Sequence, residues 1–235
     1  MILHRLIRHH LRHGSDREFY RLQALDAMRW IEAKGVVLRP GLTALDLGCG
    51  DGTFGLELAR RGCVVTFADE HDWLPADAPR SRFRAINLER ENPAVLGRHE
   101  LVICSNVLEH LRRPDALLAA LPGLVMPGGH VYLSWTNWLS PWGGHDFSPF
   151  HYLGPRLGPW LFDRVRRRPR QLQPGENLFV THIGRTLRLL RAQAGLRLKA
   201  MAPRYYPELA ALLRVPALRE FLAWNCALLL SRTSD

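Results

Sequence analysis

The stretch Ala44–Gly55, ALDLGCGDGTFG, constrains this chain more than any other. An apolar run carrying one acid, Asp46, meets Gly48, Gly50 and Gly52 at alternate positions. Such a run ahead of a glycine-rich turn reads as a buried strand entering a sharp loop, and the apolar spacing of Phe54–Arg61 reads as the helix that leaves it. Three positions without a Cβ let a ligand come directly against backbone.

The remainder of the chain repeats that rhythm. Strands are predicted at Thr43–Leu47, Val64–Ala68, Arg82–Ile86, Leu101–Cys104, His130–Trp135, Arg197–Ala202 and Leu222–Leu230, with helices clearest at Phe54–Arg61, Asp115–Leu124 and Thr181–Ala194. Alternation of this kind belongs to a parallel sheet with crossover helices. A further helix is expected over Ser15–Gly35, where Ser15 and Glu18 have capping-box spacing, Leu22, Leu25, Met28 and Ile31 form an apolar stripe, and Gly35 stops it. Two stretches break the alternation: 137–177, rich in Trp, Pro, Gly and His, and 203–220. Residues 1–14 read as a basic tail ahead of one large domain, 15–235, into which the two stretches are inserted.

Composition bounds the setting. No run approaches the ~20 apolar residues of a membrane span, and MILHRLIRHH lacks the apolar stretch of a secretory signal, so a cytoplasmic protein is expected. The four cysteines, Cys49, Cys63, Cys104 and Cys226, are scattered without a CxxC pair, which fits reduced thiols and no zinc. A formal charge of +10 raises the question of nucleic acid. Basic clusters occur in HRLIRHHLRH, from His4 to His13, and at Arg166–Arg168 with Arg170. They read first as solvated faces and second as contacts for an acidic partner. Leu3, Leu6, Ile7 and Leu11 punctuate the first cluster, which reads as a loose tail or, as the alternative, a weak contact with an anionic membrane surface.

The glycine spacing discriminates between ligands. A dinucleotide fingerprint, GxGxxG, would place its third glycine at position 53, where Thr53 stands. GxGxG with an aspartate two residues ahead resembles instead the first motif of the class I S-adenosylmethionine-dependent methyltransferases. That resemblance implies an α/β fold of three layers, a seven-stranded, mostly parallel sheet with helices on both faces and the last strand antiparallel. It implies S-adenosyl-L-methionine as cofactor, with Asp46, Gly48, Gly50 and Gly52 at its amino-acid end. Asp69, closing VVTFADE, stands where the family places an acid for the ribose hydroxyls, and a carboxylate suits that role because it only accepts. Asn87, in AINLERENP, stands where the family more often has aspartate toward the adenine, with Leu88 packing on the ring.

The segment from ELVICSNVLEHL to the PGG at Pro127–Gly129 resembles the fourth strand, its following helix and the start of the fifth strand of the same family. Asn106 and His110 are thereby expected beside the cofactor. VLEHL is close to a segment of the ubiquinone-pathway O-methyltransferases, where an acid commonly stands three before the glutamate and can assist a metal. Asn106 in that place implies no metal and leaves Glu109 structural or pocket-lining.

In this fold the segment after the fifth strand helps to roof the acceptor pocket. Here it concentrates Trp138, Trp142, His145, Asp146, His151 and Tyr152. A hydroxyl acceptor must lose a proton, and histidine, with an ordinary pKa of ~6.5, suits a base. His145 and His151 are therefore the catalytic candidates; the competing reading makes them hydrogen-bonded scaffolding. The helix from Ser15 is expected either to close over the cofactor, with Tyr20 near the pocket, or only to cover the sheet. The function implied is O-methylation of a small molecule or glycoconjugate. Two alternatives stand beside it: an RNA methyltransferase, suggested by charge although no RNA-binding module is visible, and a cofactor-binding partner subunit without catalysis.

Overall fold

The computed structural model describes residues 2–79, 82–167 and 169–233. Its centre is a seven-stranded sheet in the order β3-β2-β1-β4-β5-β7-β6. The strands are β1 (Thr43–Leu47), β2 (Val64–Asp69), β3 (Phe83–Ala85), β4 (His99–Ser105), β5 (Val125–Thr136), β6 (Leu196–Pro203) and β7 (Asn225–Arg232). β1 and β4 are buried almost throughout, as strands covered on both faces must be. β7 runs antiparallel to both β5 and β6, while the other pairings are parallel.

Helices cover each face. On one, α2 (Arg17–Ala33) and α3 (Thr53–Arg60) place Met28, Ile31 and Leu58 against Phe67, Ile103 and Leu229 of the sheet. On the other, α4 (Pro114–Leu124) and α6 (Ile183–Ala192) place Leu117, Leu121 and Leu187 against Val102, Leu133 and Leu228. Each such side chain contributes roughly 1.5–3 kcal/mol of burial free energy. Arg21 of α2 donates from Nε to Glu57 Oε1 of α3 at 2.7 Å, locking the two helices in register over β1.

Several boundaries depart from expectation for identifiable reasons. Residues 2–13 are not a loose tail: α1 (Leu3–His13) buries Leu6, Ile2 ahead of it is buried as well, and His9 Nε2 hydrogen-bonds Asp16 Oδ1 at 2.7 Å. Asp16, not Ser15, caps α2 by accepting the Phe19 N–H at 2.9 Å. β5 starts five residues early because the PGG segment is absorbed as an irregularity opposite His99–Leu101, with Gly128 at φ +75°. Residues before β7 form α7 (Pro216–Leu222) because Pro216 pre-sets a helical first turn. The insertion after β5 holds another helix, α5 (Gly154–Arg166). Arg168 of the second basic cluster lies outside the described residues, and Arg170 is engaged by both carboxylate oxygens of Asp163. Among the described residues no helix is long and apolar enough to cross a membrane.

The sheet order creates one place where chain paths diverge. β1 is flanked by β2 and β4, so the loops leaving β1 and β4 turn to opposite faces and open a crevice at the strands' carboxyl ends.

Candidate functional site at the carboxyl ends of the strands

The loop after β1 is built around its own backbone. Gly48 and Cys49 donate to the Ala68 carbonyl at 2.8 and 3.1 Å, and Gly52 donates to Cys49 at 2.8 Å. Gly48, Gly50 and Gly52 all have positive φ. A Cβ at Gly48 would stand 2.4 Å from Val107 and one at Gly52 2.4 Å from Leu74, whereas one at Gly50 would meet nothing within 4 Å. Gly50 is therefore bare toward open space. Asp46, 3% exposed, holds the loop from beneath by accepting the Gly55 N–H at 2.7 Å. Burial pushes its carboxyl up to about 7, against the Gly55 hydrogen bond.

Asp69 closes β2, and its Oδ2 accepts the Gly50 N–H at 2.8 Å. Oδ1 has only a long contact to the His71 N–H, 3.5 Å. Beyond β3, Asn87 is committed to its own turn: Nδ2 donates to Glu70 and Oδ1 accepts from Glu89 N–H, at 2.8 and 2.9 Å. Leu88 packs against the core beneath α4. Tyr20 lies near the loop, its phenol pushed up by burial and then by the charge of Asp51.

After β4, Asn106 takes φ +57° and donates its N–H to Ser134 of β5 at 2.7 Å. Its Oδ1 accepts from Asn225 Nδ2 at 2.8 Å and from Arg204 Nη1 at 3.3 Å. This joins the ends of β4, β6 and β7, and neither Arg204 nor Asn225 was among the expected site residues. The available signal was the basic residue in APRYYP, where β6 gives way to the 203–220 stretch. Glu109, 1% exposed, accepts the Thr136 N–H at 2.9 Å, and its own carbonyl accepts from Phe179 at 2.7 Å. It ties the exit of β5 to the returning end of the insertion. Burial raises its carboxyl, opposed first by His110.

The insertion has a small core of its own, Trp138, Phe147, Phe162 and Leu178. His110 Nδ1 donates to the Asn177 carbonyl at 2.7 Å, fixing the insertion's far end to the turn after β4. The His145 ring lies 5.8 Å from that of His110, at φ +49°. Its Nε2 is buried without a partner, and burial, followed by the neighbouring His110 and His151, pushes its pKa down to about 4. His151 is placed differently. It is 0% exposed, with Nε2 donating to Ser140 O at 3.0 Å and its ring walled by Trp138, Phe147 and Tyr152. A Cβ on Gly144 would fall within 2.8 Å of the same ring, so backbone closes the remaining side. Trp142 meets His10 of α1 edge-on at 5.4 Å, joining the N-terminal helix to the insertion. Among the described residues no cluster of three or more His, Cys, Asp or Glu is arranged to hold a metal ion.

Comparison with known proteins converges on one description. A family model described as a methyltransferase domain matches residues 16–199. An uncharacterized methyltransferase of Mycolicibacterium gilvum is 34% identical over 210 residues, 87% of this chain and 81% of its relative. Another, from Mycobacteroides abscessus, is 32% identical over 231 residues, 92% of this chain and 88% of the other. Among solved structures, an S-adenosylmethionine-dependent methyltransferase from Mesorhizobium loti superposes with a TM-score of 0.59 at 19% identity, covering 88% of this chain and 98% of that one. The magnesium protoporphyrin IX methyltransferase of Synechocystis, solved with S-adenosylhomocysteine, gives 0.55 at 18% identity over 91% of this chain and 84% of its own.

Proposed function

Because this chain belongs to the methyltransferase-domain family, we propose that it transfers a methyl group from S-adenosyl-L-methionine to a hydroxyl oxygen of a small molecule or glycoconjugate. The observation that carries the donor half of this reading is the bond from Gly50 N–H to Asp69. It assembles a bare glycine loop and a carboxylate from two strands into one preformed cradle, and a Cβ at Gly50 would project into open space beside that loop.

These residues fit the donor. With the glycine amides already bonded to Ala68, Asp69 and Cys49, the carbonyls of the Gly48–Gly52 loop, supported by Asp46, would hold the ammonium of its amino-acid end, and Asp69 the ribose hydroxyls; Asn87, bonded to Glu70 and Glu89, would meet the adenine only through its remaining hydrogen-bonding positions, with Leu88 on the ring. Asn106 and His110 would line the side nearest the reacting carbon. When bound, the donor supplies a methyl group on a sulfonium, a good leaving group, so the protein's work is alignment and proton removal.

For the acceptor half, His145 is the better-placed base. Its Nε2 has no protein partner and so is open to an acceptor hydroxyl, and burial keeps the ring neutral near pH 7 at the expense of its basicity. His151 has one ring nitrogen bonded to Ser140 and the other enclosed, which supports a scaffolding role. The pairing of Arg170 with Asp163 weakens the basic cluster as an RNA contact and so favours a small acceptor.

The test has two stages. Calorimetry should give micromolar binding of S-adenosylmethionine and S-adenosylhomocysteine; absence of heat with both, beside tight binding of a nicotinamide dinucleotide, would sink the reading. A screen of hydroxylated acceptors with tritiated donor should then find transfer that persists in EDTA. A product carrying the label on nitrogen or carbon would replace the O-methylation assignment.

A further inference from the structure

Arg204 is 5% exposed, yet two of its three guanidinium nitrogens are unused. Nη1 reaches Asn106 Oδ1 at 3.3 Å, while Nε and Nη2 are buried without partners. By covalent geometry Nε and Nη2 point their N–H bonds side by side, along the edge that grips both oxygens of one carboxylate. Asp26 lines the same narrow cleft, with Trp30, Tyr132 and Pro207; burial raises its carboxyl and the charge of Arg204 draws it back down, but no hydrogen bond joins the two. A buried charge left with its fork empty is costly, and in folded proteins such charges are paired.

The surroundings hold the guanidinium in place. Its carbon lies 5.3 Å from the centre of the Phe54 ring and 5.8 Å from that of Tyr205. The Arg204 N–H bonds the Asn225 carbonyl at 2.8 Å, and the same Asn225 anchors Asn106. Phe54 belongs to the first turn of α3, immediately after the glycine loop. The fork is thus positioned between that loop and the ends of β4 and β7.

We propose that Arg204 binds a carboxylate in the active site through Nε and Nη2. The proposal rests on the methyltransferase reading above. Two ligands could bring that group: the donor, through its methionyl end, or an acidic acceptor. The single negative charge and planar oxygen pair of a carboxylate match the single buried cation and its planar fork.

The experiment compares wild type with R204M and R204K, each checked for folding by circular dichroism. Calorimetry is run with S-adenosylhomocysteine and with 5′-methylthioadenosine, which lacks the amino-acid end. Sodium benzoate then serves as carboxylate probe, read as thermal stabilisation of protein saturated with S-adenosylhomocysteine. Loss of tenfold or more in affinity for S-adenosylhomocysteine, with 5′-methylthioadenosine unchanged, supports the proposal with the donor as source. Unchanged S-adenosylhomocysteine binding, with benzoate stabilising wild type and neither variant, supports it with the acceptor as source. If R204M does not fold, R204K decides, because lysine keeps the charge and loses the fork. Variants that match wild type in both arms overturn the proposal. Failure of the methyltransferase reading would look different, since wild type itself would bind neither thioether, and benzoate stabilisation measured on the ligand-free protein and its variants would then report on Arg204 alone.

Discussion

Gly50 and Asp69 are joined by a 2.8 Å hydrogen bond from backbone amide to carboxylate, so the turn after β1 and the end of β2 are one structural unit. The carboxylate thereby has two tasks, holding the loop and offering its remaining accepting positions outward.

Asp69→Ala should weaken S-adenosylhomocysteine binding by about 1–3 kcal/mol, because hydroxyls would be desolvated without a partner. Calorimetry on the folded variant measures it. An unchanged dissociation constant would mean that the ribose lies elsewhere.

The three glycines make unequal demands. At Gly52 an alanine meets both φ +74° and a Leu74 methyl carbon at 2.4 Å, while at Gly50 it meets only φ +53°. Gly50→Ala should cost about 1–2 kcal/mol of stability, the left-handed penalty alone. Gly52→Ala should cost that and a further 1–3 kcal/mol or so for overpacking. Urea unfolding of the two variants checks the order. For ligand binding the order reverses, since only the Gly50 methyl group would project into the open side of the loop.

How much of this was legible beforehand follows from the range of each interaction. The glycine spacing, Asp46 and Asp69 are readable because turn geometry and strand ends are local properties. Asn106 was placed by its position after β4, but its bonding was hidden: the Arg204 contact spans 98 positions and the Asn225 contact 119. α5 escaped notice because Pro155 and Pro159 argue against a helix, yet one sits in the first turn, where its missing N–H costs nothing. α1 has a strong apolar stripe, but whether Leu6 finds cover depends on α2, which no pattern within thirteen residues reveals.

Asp46 predicts a pH dependence of stability. Its folded pKa is raised to about 7 from the ordinary 3.8, chiefly by burial. A raised acid favours the folded state most while it is protonated, so its contribution is fully present below about pH 4 and is lost as pH rises through about 7. Asp46→Asn keeps an acceptor for the Gly55 N–H and removes the titration. The difference in unfolding free energy, variant minus wild type, should therefore increase between pH 4 and pH 8 by an amount of a few kcal/mol. A difference that stays flat across this range would show Asp46 to be ionised at both ends of it.

The last prediction separates the two histidines. If His145 takes the acceptor's proton, His145→Ala should lower single-turnover methylation by ~10²–10⁴-fold, the usual contribution of a positioned base, with S-adenosylhomocysteine affinity within about twofold of wild type. The acid limb of kcat/KM should bend near pH 4 and not near 6.5, because burial holds His145 deprotonated down to about 4. His151→Ala should do the opposite, lowering thermal stability by emptying the space among Trp138, Phe147 and Tyr152 while slowing chemistry little in whatever protein remains folded. Wild-type rates in His145→Ala, or an acid limb near 6.5, would assign the proton to another group. His110, whose ring lies 5.8 Å from His145, would then be the residue to replace.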